Sequence, residues 1–350
     1  MVTQLFALVV NLNINWSEEM KLVLGGFIGC LLLVMVLGMG YEAMGSAQDQ
    51  KRYPPFGKRI DVGGYQLHLN VRGEGNPTVV MEYGLGGLSP VWSLVESEVA
   101  KFTQVCTYDR AGYGWSDSSP YPRTSEYMVK ELHILLTNAG VEGPYILVGH
   151  SLGGLNMRQF ASQYPDKVLG LVLVDAVPAN VYTELSPAFE QSMADTQRMF
   201  QMLSVISRFG LLRLFIQLLG AQVAPDFVQK LPADVQPLIL ANFSSKTFET
   251  AIAENQLMRQ SAEMVHQASL SQHLPLVVLS HGVNMFSNLP LAQAEKAWQI
   301  WQELQGETAQ LSANSTLKIA QKSGHNIHID QPQLVIDSIS KIIDKARQKT

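Results

Sequence analysis

The stretch Tyr145-Ile146-Leu147-Val148-Gly149-His150-Ser151-Leu152-Gly153-Gly154 decides how this chain is read. Four apolar residues of a strand run into Gly-x-Ser-x-Gly, and Leu155 to Tyr164 continues with helical spacing. A strand that turns sharply into a helix lifts the central serine to the apex of the turn. The glycines at 149 and 153 are required because that turn leaves no room for side chains beside it. The helix N-terminus behind Ser151 favours negative charge. A serine that merely caps a helix after a glycine turn is the simpler alternative, but the strand before and the helix after favour a nucleophile.

A hydroxyl is a weak nucleophile at neutral pH and needs a base, a group that orients the base, and donors for a developing oxyanion. Gly324-His325 follows the last apolar run and precedes a helix that starts near Pro332, so His325 is the expected base, with His328 as its competitor. His150 should point away from the turn, towards packing or substrate. His68, His133, His266, His273 and His281 show no partner in sequence and are expected at the surface or in satisfied core positions. The orienting acid belongs on a loop at the carboxyl end of a strand, where it accepts the imidazole N–H. Asp175 stands there, after Leu171-Val172-Leu173-Val174. The run Pro275 to Ser280 ends instead in His281-Gly282-Val283-Asn284, without a carboxylate. Asn284 as a weaker orienter, or a carboxylate elsewhere, remains open, and Asp330 is expected to cap a helix. For the oxyanion, the elbow supplies the N–H of Leu152, and the turn Tyr83-Gly84-Leu85-Gly86-Gly87 supplies that of Leu85. Those glycines would also suit a plain tight turn.

Around this centre, short apolar runs alternate with helical patterns. That is the mark of a mostly parallel, doubly wound α/β sheet with helices on both faces. Ile60 to Leu69, broken by Gly63-Gly64, reads as an opening hairpin. Strands follow at Thr78 to Tyr83, Val105 to Tyr108, Val168 to Val174 and Ser315 to Ala320, and Ser125 to Ala139 reads as a helix closed by Gly140. Residues 178–273 break the alternation with Met, Phe and Leu at helical spacing, and are expected to form a helical lid. Its stretch Arg208 to Leu219 is nearly all apolar. Packing between lid and core is the first reading of it, and a tunnel lining or an interfacial helix the second.

Leu22 to Tyr41 carries no charge over about the twenty residues a bilayer-spanning helix needs. The chain is therefore divided into an N-terminal segment (1–21), a single membrane span (22–41), a polar linker (42–55), a first core segment (56–177), the lid (178–273) and a second core segment (274–350). A signal peptide cut near Gly45-Ser46-Ala47 is the alternative. Counting Lys51, Arg52, Lys58 and Arg59 against Lys21 puts the catalytic part inside, but Lys58 and Arg59 are expected in the folded domain, so the side of the membrane stays open.

The 350 residues, 47% hydrophobic and 16% charged, suffice for a large core, and the formal charge of -5 with no basic stripe argues against a nucleic-acid partner. Cys30 and Cys106 make no disulfide framework. No zinc-type spacing or phosphate loop occurs, so a mechanism without metal or cofactor is expected.

With these pieces in order, the chain from about Tyr65 to Ala346 resembles the α/β-hydrolase superfamily, in the group of esterases, lipase-like and proline-iminopeptidase-like enzymes. The resemblance rests on Gly84-Leu85-Gly86-Gly87, Asp109-Arg110-Ala111-Gly112-Tyr113-Gly114-Trp115-Ser116, the elbow, and Gly324-His325. It implies the α/β-hydrolase fold, a structural role for Asp109 and Arg110, and no dehalogenase activity, which would need Asp at the elbow. Tyr83-Gly84 stands where many members have His-Gly. The acid common after the strand matching Pro275 to Ser280 is missing, but some relatives carry it one strand earlier, which corresponds to Asp175. The expected reaction is hydrolysis of an ester of an apolar or medium-sized acid through an acyl-enzyme. An aminopeptidase or amidase, and a non-catalytic membrane-tethered binding protein, are the alternatives.

Overall fold

The structure, a computed structural model, describes residues 17–286 and 289–348. Most of the N-terminal segment expected over 1–21 therefore lies outside the described residues. The chain opens with α1 (Glu18–Arg52), followed by β1 (Lys58–Asp61), β2 (Gln66–Arg72), β3 (Thr78–Glu82), α2 (Ser93–Val99) and β4 (Val105–Tyr108). Next come α3 (Ser125–Asn138), β5 (Tyr145–His150), α4 (Leu152–Gln163) and β6 (Val168–Val174). Seven α-helices and one 3-10 helix (Gly220–Val223) separate β6 from the next strand: α5 (Val181–Glu184), α6 (Ala188–Arg208), α7 (Leu211–Leu219), α8 (Asp226–Gln229), α9 (Gln236–Ala241), α10 (Ser245–Gln256) and α11 (Met258–His266). The chain closes with β7 (Leu276–His281), α12 (Leu291–Ala309), β8 (Ser315–Ala320), α13 (Ile327–Asp330) and α14 (Pro332–Arg347).

The eight strands form one sheet in the order β1-β2-β4-β3-β5-β6-β7-β8. β1 and β2 pair antiparallel, as do β2 and β4, and every later pairing is parallel. The central strands read as unbroken apolar runs because both faces are covered. Successive side chains go to opposite sides. Val79, Met81, Ile146, Val148, Val172 and Val174 join the layer that contains Val95 of α2 and Ile339 of α14. Val80, Leu147, Leu171 and Leu173 join Leu132 of α3 and Phe160 of α4. The register Glu82↔Gly149, His150↔Val174 and His281↔Ala320 brings the carboxyl ends of β3, β5, β7 and β8 to one edge, with β6 between β5 and β7. Ligands of open α/β sheets bind at that edge.

Three expectations are corrected. The polar linker over 42–55 is helical through Arg52, so the 22–41 span is the first part of one 35-residue helix. Ser17 caps it, Glu18 and Glu19 sit in its first turn, and Lys51 and Arg52 in its last, all favourable to the helix dipole. Contacts from the lid hold the segment between. Secondly, Arg208 to Leu219 does not simply pack on the core: Leu211, Leu214, Phe215, Leu218 and Leu219 are exposed on α7. Phe200 of α6 does pack inward, whereas Met199 and Met202 face out. Lastly, Asp330 caps no helix. Its carboxylate accepts from Lys230 and Ser323, and Gln331 occupies the cap of α14.

Candidate active site

Ser151 sits between β5 and α4 at φ 54°, ψ -121°, a backbone state unfavourable for a side-chain-bearing residue. Close packing of the turn enforces it. A Cβ on Gly149 would lie 2.5 Å from the carbonyl oxygen of Gly153, and one on Gly153 would lie 2.6 Å from that of Glu82. Ser151 N–H donates to the Val174 carbonyl, and the Ser151 carbonyl accepts from Val177, so the turn is stitched to the end of β6.

Asp175 follows directly from that strand end, also at positive φ, with its N–H donating to Leu279 O at 2.7 Å. Its carboxylate is fully buried and receives two imidazoles. Nδ1 of His325 donates to Oδ2 at 2.5 Å, and Nδ1 of His281 lies 2.7 Å from both oxygens. The backbone N–H of His281 adds a bond to Oδ1 at 3.2 Å. Burial alone would raise the carboxyl pKa. The His281 and then the His325 interactions overcome it and hold the group down at about 2.

His281 therefore has a partner that sequence reasoning missed. It closes β7, where the acid was sought and not found, and meets the acid of the neighbouring strand. Asn284 is placed elsewhere: its side chain accepts from Phe286 N–H and donates to Ala294 O. His328 is buried against Trp92 and Tyr83, with neither ring nitrogen paired among the described residues. Burial, then His325, push its pKa down to about 3. Nε2 of His150 donates to the carbonyl of His325 at 2.9 Å, so His150 braces the loop that bears the expected base.

The Tyr83 to Gly87 turn lies against the elbow, where a Cβ on Gly84 would stand 2.7 Å from Ser151 Cβ and 3.3 Å from its Oγ. Arg110 fixes this turn by donating to the carbonyls of Tyr83 and Gly84, the latter at 2.8 Å. Those carbonyls are thereby engaged away from the serine. No acceptor is paired with the N–H of Leu85 or Leu152 among the described residues. The Arg110 guanidinium is itself held by Glu82 and by Glu254 of α10, the latter through bonds of 2.9 and 2.8 Å. Asp109 accepts from the N–H of Ser89 and bonds His68, which supports the structural role implied for both residues.

A model of the alpha/beta hydrolase fold family matches residues 77–267. The chain belongs to the α/β-hydrolase family. Among relatives of this hydrolase, the uncharacterized protein YqjL of Bacillus subtilis is 28% identical over 281 residues, covering 79% of this chain and 88% of its own. Solved structures share the fold at low identity. An epoxide hydrolase mutant of Vigna radiata superposes with TM-score 0.63 at 17% identity, covering 82% of this chain and 98% of that one. A thermophilic esterase of Thermogutta terrifontis gives 0.54 at 20%, covering 83% and 98%.

In this hydrolase Ser151, His325 and His281 open onto one cavity of about 300 Å³. Phe189, Met193 and Phe200 of α6, Met258 of α11, Phe286 and Trp301 line the rest of it. Ser192 and Thr196 of α6 are the polar members of this otherwise apolar wall. The ligating atoms of Asp175, His281 and His325 lie within 4.8 Å of one another, a spacing compatible with a metal ion. Both Nδ1 atoms are already committed to the carboxylate, however, so an ion would have to displace two charge-assisted hydrogen bonds.

Proposed function

We propose that the chain is a serine hydrolase cleaving carboxylic esters with an apolar acyl group of medium size. The observation that carries this is the short Asp175–His325 bond, with Ser151 on a strained elbow facing the same apolar cavity. Asp175 holds the His325 proton on Nδ1, which leaves Nε2 free to take the proton of Ser151 as Oγ attacks the ester carbonyl. The oxyanion is received by the N–H groups of Leu85 and Leu152. The alkoxide then leaves with the proton from His325, and water repeats the sequence on the acyl-enzyme. The cavity lies at the small end of ligand pockets, about 300–1,000 Å³.

Of the five lid carboxylates that could bind a substrate amine, Glu184, Glu190, Asp195, Glu249 and Glu254, all but Glu184 have other partners among the described residues. Glu254 faces Arg110, Glu190 faces Arg259, Glu249 faces Arg208 and Asp195 faces Arg198. That favours esters over amino-acid amides. A fluorophosphonate probe should label the wild type and not Ser151→Ala, and p-nitrophenyl esters should turn over while amino-acid anilides do not. An unlabelled wild type, beside a reactive control esterase, removes the enzyme reading in favour of a binding protein.

A further inference from the structure

The lid reaches the membrane helix at one defined height. Glu18–Arg52 is long and apolar enough to cross a membrane. At 1.5 Å per residue its uncharged stretch from Leu22 to Tyr41 spans about 29 Å, close to the hydrocarbon thickness of a bilayer. The corner between α6 and α7, which meet at 87°, packs within that stretch. A Cβ on Gly38 would touch the carbonyl of Phe209, and one on Gly210 would lie 2.7 Å from the ring of Tyr41. One turn further along, Arg213 donates to Glu42 at 2.9 and 3.0 Å, to Asp49 at 2.5 Å and to Ser46 at 3.2 Å. Tyr41 adds a bond of 2.5 Å to Gln217. These contacts consume the polar face of α7. The opposite face, Leu211, Leu214, Phe215, Leu218 and Leu219, is left exposed at the level where the apolar run of α1 ends. Val205 and Met202 extend it along the outer side of α6, whose inner side lines the cavity.

We infer that α7 and the outer side of α6 lie in the interface of the same bilayer that α1 crosses, so that lipid-like esters pass from the membrane under α6 to Ser151. An amphipathic helix in that position sinks its apolar face about 5–10 Å into the headgroup boundary, and the Arg213 cluster fixes the depth. A second copy of the chain would cover the same residues, but it offers no reason for their height to match the end of the span.

The test uses the full chain in phosphatidylcholine vesicles with a fluorophore on one thiol at a time: native Cys30, which is exposed on α1, or Leu218→Cys in a Cys30→Ser background. A label on Glu303→Cys, far along α12, serves as the aqueous reference. The Cys30 and Leu218→Cys labels should both be quenched by nitroxide-bearing phospholipid, the latter best by a nitroxide near the headgroup, and both should be at least fivefold less sensitive to iodide than the reference. Iodide quenching of the Leu218→Cys label at the reference rate overturns the inference, as does protection from both quenchers, which marks a protein contact. A Cys30 label untouched by lipid also overturns it, since the depth is reckoned from α1. Because quenching reads position alone, its outcome is independent of the proposed esterase reading. If both hold, Leu214→Asp/Leu218→Asp lowers kcat/KM for a bilayer-borne long-chain ester at least tenfold and leaves that for p-nitrophenyl acetate unchanged.

Discussion

Replacing Asp175 by Asn removes one charge and almost no volume, and the surrounding bonds dictate how the amide must sit. Oδ1 receives the backbone N–H of His281, which can only donate, so the amide oxygen takes that position. The NH2 then occupies the place of Oδ2 and faces Nδ1 of His325, 2.5 Å away in the parent. A donor there obliges Nδ1 to accept, and the ring proton moves to Nε2, the atom that receives the serine proton in the proposed mechanism. The wrong tautomer in a Ser-His-Asp site costs about 10⁴ in kcat, equivalent to about 5 kcal/mol of activation free energy. Steady-state hydrolysis of p-nitrophenyl butyrate reads this, with near-UV circular dichroism to show that the fold is kept. A well-folded Asp175→Asn variant within tenfold of wild type refutes the role assigned to the carboxylate. An equal collapse in Asn284→Ala would transfer that role to Asn284.

Gly84→Ala is expected to slow fluorophosphonate labelling of Ser151 by about 10²-fold, because its methyl would stand 2.7 Å from Ser151 Cβ and a displacement near 1 Å costs about that much; an unchanged rate would show that the turn does not border the reaction. His328 is buried with its pKa down at about 3, against about 6.5 when unfolded. The unfolded chain therefore binds the extra proton first, and stability falls as pH drops through about 6.5 towards 3. This group costs about 2 kcal/mol on going from pH 7 to pH 5. His328→Leu should be less steep by that amount in urea denaturation at the two pH values, and an identical slope would contradict the burial argument. Glu254→Ala strips the buried Arg110 of a bidentate partner and should cost about 3–5 kcal/mol, together with a loss of activity as the Tyr83–Gly84 turn loosens. An unfolding free energy within about 0.5 kcal/mol of wild type would show that the pair does not hold the lid.

What was legible in the sequence was what neighbours along the chain impose on one another. The elbow could be read because strand, glycines and helix are contiguous. The parallel sheet could be read because β3, β5 and β6 are apolar on both faces. Asp175 was located by its place after a strand, not by any partner. His281 was passed over because its partner lies 106 residues away and becomes adjacent only through the β6–β7 register. The helical continuation of α1 was missed for the same reason: Glu42 and Asp49 look like linker charges until Arg213, 171 residues from Glu42, is placed between them. The exposed face of α7 was first assigned to packing, since a leucine-rich stripe reads the same whether protein or lipid covers it.

The Arg110 cluster has a mechanical meaning. Its guanidinium ties a lid helix to the very turn that borders Ser151, so that helix cannot swing away without loosening the floor beneath it. Glu249 and Asn255 of the same helix bond Ser204, Arg208, Met193 and Gln197 of α6 in turn, so this rivet couples the cavity wall to the Tyr83–Gly84 turn. The same rivet constrains inheritance. A lid transplanted from another family member would have to supply its own carboxylate for Arg110, or leave a solitary cation sealed beside the reacting centre.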